Sequence, residues 1–132
     1  DDDGFVKTDK FKLNIGDYDD AYCMGDATNI PTSKSAVTAH LESKVIRDRL
    51  LGIDSRFNGR THCPFEFGYR KATFVIGSYD DPVVKLKPST FMYLMKMGMK
   101  YMAWQVIRNQ MEWFLEPYFK MTDPKKLSKK NK

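Results

Sequence analysis

Gly25-Asp26-Ala27-Thr28-Asn29-Ile30-Pro31-Thr32-Ser33-Lys34 is the stretch on which the fold turns. Before it, Ala21-Tyr22-Cys23-Met24 is a short apolar run stopped by Gly-Asp, the pattern of a buried strand with a turn at its carboxyl end. After it, Thr32 and Ser33 are natural helix caps following Pro31. Ala36, Val37, His40, Leu41, Val45, Ile46 and Leu50 then recur at helical spacing, and Gly52 supplies a stop. The spacing predicts a strand, a turn and a helix from about Ser33 to Leu51. Gly25 has no Cβ to obstruct a ligand, Asp26 offers two acceptors to hydroxyl groups, and the helix start presents free N–H groups to an electron-rich edge. An Asx turn followed by an ordinary helix cap uses the same residue types, so the string alone leaves both readings open.

Working outward, Phe5-Val6-Lys7-Thr8 and Phe11-Lys12-Leu13 read as short strands. Residues 62–86 alternate and are rich in aromatic and β-branched side chains, with Ser78-Tyr79-Asp80-Asp81-Pro82 as a turn. They predict an antiparallel pair or a three-strand meander. From Ser89, a natural cap, an apolar helix is predicted through Ile107, then a second short one ending at Glu116-Pro117. This last block holds seven of the eight methionines and both tryptophans. Lys96 and Lys100 interrupt it, which disfavours a membrane-spanning helix. The expected class is α+β: strand–turn–helix, antiparallel meander, then apolar carboxyl-terminal helices.

The 132 residues suit one small core, and 42% hydrophobic with 30% charged residues is ordinary for a globular fold. The formal charge of +5 is uneven: acids crowd the first twenty positions, and Lys125, Lys126, Lys129, Lys130 and Lys132 form a basic arm. Those lysines are not interleaved with aromatics, which argues against a nucleic-acid partner. Two cysteines and two histidines, without C-x-x-C or H-x-x-x-H spacing, give neither a disulfide scaffold nor a metal site, so the metal expectation is none. The chain opens Asp1-Asp2-Asp3-Gly4, without an initiating Met or a signal peptide, and is expected to be an excised part of something longer.

The Gly25–Lys34 string resembles the second FAD fingerprint of flavoproteins with two dinucleotide-binding domains. Its Thr-Asn-Ile-Pro-Thr-Ser-Lys continuation looks specifically like the sulfide:quinone oxidoreductases. Asp3-Gly4-Phe5-Val6-Lys7-Thr8-Asp9 is similar to the family's approach to that motif. Thr61-His62-Cys63-Pro64 with Gly68-Tyr69 is similar to a segment bearing one redox-active cysteine, and Met92-Tyr93-Leu94-Met95-Lys96 to the start of membrane-facing helices. The resemblance covers most of residues 3–115 and implies a carboxyl-terminal piece of such an enzyme. Residues 1–60 would complete an FAD-binding domain, 61–121 would form the meander and quinone-facing helices, and 122–132 a basic disordered tail.

It also implies roles. Asp26 would bind the FAD ribityl chain beside Gly25, and Thr32, Ser33 and Lys34 would sit under the pyrimidine edge of the flavin, where a cation raises the reduction potential. Cys63 would be one of two redox cysteines, the other lying upstream of this chain. Hydrosulfide attack on their bridge would release a thiolate that passes electrons to the flavin. His62 and Arg60 adjoin Cys63 in sequence. Cys23, where the family carries an apolar residue, reads as core. Lys96 and Tyr101 would face the quinone, and residues 89–132 would dock on a membrane surface as a peripheral protein. The amino-terminal G-x-G-x-x-G fingerprint is absent, so the chain by itself is expected to be inactive, with its exposed surfaces pairing with the missing region or in a homodimer. The other readings are an NADH:quinone oxidoreductase part, or a membrane-docking or oligomerisation module without chemistry.

Overall fold

The structure, a computed structural model, describes residues 1–108, 112–124, 126 and 127. Its elements are a single 3-10 turn (Gly25–Ala27), α1 (Ala36–Leu50), β1 (Thr61–Gly68), β2 (Lys71–Gly77), β3 (Val84–Lys85), α2 (Thr90–Ile107) and α3 (Glu112–Met121). They divide into two units, residues 1–63 with Ser78–Asp80, and residues 64–77 with the described residues from Asp81 onward.

In the first unit the amino-terminal segments pair only through isolated bridges, Val6 with Thr28, Thr8 with Ile15 and Asn14 with Tyr22. The predicted strands do not extend, because local side chains take up the backbone. Asp9 Oδ1 accepts from the N–H groups of Phe11 (2.9 Å) and Lys12 (2.6 Å), which holds its carboxyl below the usual range, the Lys12 bond contributing most. Asn14 Nδ2 donates to the carbonyls of Gly16 and Tyr18. Residues 21–24 therefore form no buried strand. Met24 is exposed, and Cys23, expected in the core, is half-buried, its N–H on Leu13 O at 3.0 Å.

Helix α1 begins three residues later than its predicted start. Ser33 and Lys34 are committed elsewhere, and Ser35 is the cap, its hydroxyl accepting from Thr38 N–H at 3.3 Å. The predicted stop holds: Gly52 at φ +78° donates to Arg49 O (2.9 Å) and Ile53 N–H to Asp48 O (2.9 Å), the paired bonds of a Schellman motif. The buried face of α1 is Thr38, Glu42 and Val45, packed toward a core of Leu13, Ile30, Val45 and Phe57. Tyr79 closes that core, edge-on to Phe11 and Phe57 and donating its hydroxyl to Lys10 O at 2.9 Å. Burial first, then the carboxylates of Glu42 and Asp9, raise its phenol above the ordinary value and keep it a donor.

In the second unit the meander appears as predicted, in the order β1-β2-β3, with β2 and β3 antiparallel (Val75 opposite Lys85, Ile76 opposite Val84). β2 is the buried centre, with Ala72, Phe74 and Ile76 inaccessible, and α2 packs on it. Ser89 caps α2, accepting Met92 N–H at 3.1 Å. Tyr69 and Arg70 join β1 to β2 with positive φ at both positions, +47° and +54°, the mark of a type I′ turn. Neither is glycine, so the left-handed conformation costs roughly 1–2 kcal/mol each. α3 continues through Pro117, where a stop was expected. Tyr118 lies edge-on to Phe74, and Phe119 is buried, so packing after the proline offsets the lost backbone bond. Among the described residues no helix is long and apolar enough to cross a membrane. Lys126 and Leu127 both donate their N–H groups to Asp123 O. The side chain of Trp104 and the tail residues Lys125, Lys129, Lys130 and Lys132 lie outside the described residues.

Glu42 is the buried carboxyl that ties the 3-10 turn to α1, and burial raises its pKa above the ordinary range despite the Gly25 N–H bond. A raised folded-state value means that its contribution to stability is fullest below about pH 4.5 and declines as pH rises through that value. Glu42→Ala, which strands the Gly25 N–H, should cost about 1–3 kcal/mol in urea unfolding at pH 7. The stability of Glu42→Gln relative to the wild type should rise from acidic to neutral pH, because the variant lacks that decline.

Candidate functional site

The Gly25–Lys34 segment is a loop folded against the amino-terminal half of α1. Gly25 sits at φ +70°, and a Cβ there would lie 3.5 Å from Ala39 Cβ, so the turn and helix meet closely. Its N–H donates to Glu42 Oε2 at 2.6 Å, and its carbonyl accepts both the N–H (3.2 Å) and the hydroxyl (2.9 Å) of Thr28. Asp26, next in the turn, is exposed. Lys34 bends back over the loop and donates to Thr28 O (2.6 Å), Thr28 Oγ1 (3.1 Å) and Ile30 O (3.4 Å), with its ammonium 5.7 Å from the Phe5 ring. These bonds delay the helix to Ser35. Thr32 Oγ1 is buried and finds no hydrogen-bond partner among the described residues.

A net of hydroxyl groups joins this helix mouth to the start of β1. Thr38, 2% exposed, bonds Ser35 Oγ at 2.9 Å and Thr61 Oγ1 at 3.0 Å. Ser33 bonds both Thr61 and Thr38, and Ser35 Oγ donates to His62 O at 3.1 Å. Cys63, the next residue, is a half-buried free thiol in the same unit as Asp26.

His62 is fully buried, and as its neighbour on a strand its side chain points to the opposite face from Cys63. Arg60 Nε lies 3.4 Å from His62 Nε2, which makes that nitrogen the acceptor and assigns the proton to Nδ1. Burial, then the Arg60 charge, holds the imidazole down to about 3. His62 is therefore neutral and brings no positive charge to the thiol.

The quinone-side pair expected on α2 is not gathered in one place. Lys96 Nζ is held by Glu66 Oε1 at 2.6 Å, while Tyr101 is 74% exposed. Five residues apart on a helix, they stand about 140° apart around the axis. Tyr101 instead joins Phe91 and Leu94 in an exposed apolar stripe within an arc of about 80°. An open recess of about 430 Å³ lines the carboxyl-terminal half of α1, between Met24, Ser43, Ile46, Arg47, Leu50 and Leu51, away from the helix mouth. No group of three or more His, Cys, Asp or Glu able to hold a metal occurs among the described residues.

Glu42 and Thr38 are the site residues that sequence reasoning missed. Both lie on the inward face of α1, four residues apart, where apolar spacing surrounds them. A carboxylate on such a face signals a backbone N–H to be satisfied.

Two curated proteins are similar in sequence. One from Dictyostelium discoideum is 31% identical over 74 residues, covering 52% of this chain and 16% of its own length. One from Mus musculus is 28% identical over 120 residues, covering 79% of this chain and 26% of its own length. Both are mitochondrial sulfide:quinone oxidoreductases. The chain thus spans about a quarter or less of the length of these oxidoreductases. No protein-family profile matches it. In fold it is similar to a chain in the cryo-EM structure of the Tetrahymena thermophila mitochondrial ATP synthase F1Fo composite tetramer. That match has a TM-score of 0.54 at 24% identity, covering 60% of this chain and 20% of the other. This last likeness is one of fold alone.

The depressed His62 value sets a pH window. Native-state stability should be full above pH 6.5 and fall as pH drops from 6.5 toward 3, where the unfolded imidazole takes a proton and the folded one does not. In urea midpoints followed by circular dichroism, the wild type should lose its advantage over His62→Gln as pH falls from 7 to 4.

Proposed function

We propose that this chain is the carboxyl-terminal part of a flavin-dependent oxidoreductase that takes electrons from sulfide and delivers them to a quinone. The observation that carries the proposal is the hydroxyl net that pins Thr61 and His62 to the mouth of α1, the residue before Cys63 being bound to the helix that also carries the Gly25-Asp26 turn. The names of the two sequence relatives supply the donor and acceptor.

The residues at the helix mouth suit one edge of FAD. Asp26 is an exposed carboxylate for hydroxyl groups, Thr32 Oγ1 is a buried hydroxyl with no partner among the described residues, and α1 begins nearby with its positive pole. FAD, when bound, supplies the two-electron acceptor chemistry. Asp26 would accept from the ribityl hydroxyls, Thr32 and the first N–H groups of α1 would face the pyrimidine edge, and Lys34 would act on that edge electrostatically from its place over the loop. Cys63 would be the sulfur nucleophile, its partner cysteine and the phosphate-binding loop lying in a segment outside this chain. Glu42 and Thr38 position these groups and touch no substrate. The apolar stripe of Phe91, Leu94 and Tyr101 on α2 would meet a membrane surface, as a peripheral protein requires. That same stripe favours a second reading, a docking module without chemistry, in which no flavin would be retained.

In the full-length protein, Cys63→Ser should retain bound flavin, read from its absorbance. It should lose sulfide-dependent quinone reduction by roughly two orders of magnitude or more, the scale of removing a covalent nucleophile. Undiminished turnover would remove Cys63 from the reaction, and a full-length protein without flavin would favour the docking module.

A further inference from the structure

The β1–β2 hairpin carries a feature that the redox reading does not use. Gly68, Tyr69 and Arg70 take three successive positive φ values, +78°, +47° and +54°. A two-residue loop of this kind favours Asn-Gly, because small residues enter the left-handed region at least cost. Here two of the largest side chains stand in those places. Tyr69 is 98% exposed, so its ring gains no packing that would offset the strain. Strain kept without an internal return points to a use outside the unit.

The chemistry around the turn is consistent along the strand. Phe65 and Phe67 alternate and share one face of β1, Tyr69 follows in the turn, and all three are exposed. Arg70 and Lys71 follow directly and are exposed as well. Glu66 is the one carboxylate between Thr61 and Gly77, and it is neutralised by Lys96 at 2.6 Å. The tip is thus a row of aromatic rings ending in two cations.

We infer that the Phe67–Lys71 tip of this hairpin is an anchor for an anionic phospholipid surface, with Phe67 and Tyr69 entering the interface and Arg70 and Lys71 meeting the headgroup phosphates. Tyrosine suits that depth, its ring apolar and its hydroxyl wet. A second copy of the chain fits less well, because a two-fold pairing of this patch would set Arg70 and Lys71 against their own equivalents. The anchor lies outside residues 89–132 and does not depend on Cys63 or on a flavin.

The test uses the full-length protein and the variant Tyr69→Asn/Arg70→Gly, which installs the turn's preferred residues. Its thermal midpoint should equal or exceed the wild type's, since strain is relieved. Its affinity for phosphatidylcholine vesicles containing phosphatidylserine should fall at least about five-fold, the weight of one interfacial cation. Lys71→Gln, which leaves the turn's φ values alone, should show a similar loss, and added salt should weaken the wild type's binding. Unchanged vesicle affinity in both variants would overturn the assignment, as would equal binding to phosphatidylcholine alone. So would a loss of self-association in sedimentation velocity with vesicle binding intact, which would assign the tip to a second copy. Because turnover is not read, failure here would leave the proposed chemistry standing, and failure of the chemistry would leave the anchor standing.

Discussion

The first unit depends on a buried hydroxyl. Thr38 Oγ1 sits within bonding reach of Ser33, Ser35 and Thr61, and through them the mouth of a helix, the loop before it and the first residue of a strand become one hydrogen-bonded body. A threonine inside a helix is a mediocre choice by propensity. Here it satisfies polar groups that burial would otherwise leave stranded, which is worth more than the propensity it forgoes. Glu42, one turn further along, does the same for the Gly25 N–H. Two polar side chains on the inward face of α1 thus fix both the glycine turn and the strand that leads to Cys63.

The elements that were legible in the sequence are those whose signals are local. The periodicity from Ala36 to Leu50, the Gly52 stop, the Ser89 cap and the alternation of the meander each correspond to an observed element. Helix α1 starts later than its local pattern suggests because Ser33 looks like a cap in sequence, while its hydroxyl is spent on Thr61, twenty-eight residues away. The strand before Gly25 failed for a related reason, since Asp9 and Asn14 bind backbone close by and shorten every ladder around them. Pro117 lies within α3 because aromatic packing after it outweighs the missing N–H, and no local rule carries that information.

The candidate site was legible in its covalent residue types and not in its supports. Gly25, Asp26 and Cys63 stand out as chemistry-bearing residues, but Glu42 and Thr38 stand out only once a burial face is known. The partners of the two lysines are not readable from the pattern either: Lys34 donates to the loop carbonyls of Thr28 and Ile30, and Lys96 to Glu66, thirty residues away.

Tyr79 has a consequence for how the chain can be handled. It belongs to the first unit, closing a core made by residues 10–57, yet it is reached only after the chain has left through β1 and returned at the end of β2. The backbone therefore passes between the units three times, after residues 63, 77 and 80. Severing the chain at the first crossing would strip the amino-terminal half of the aromatic lid over Phe11 and Phe57, so that half is not a self-sufficient folding piece.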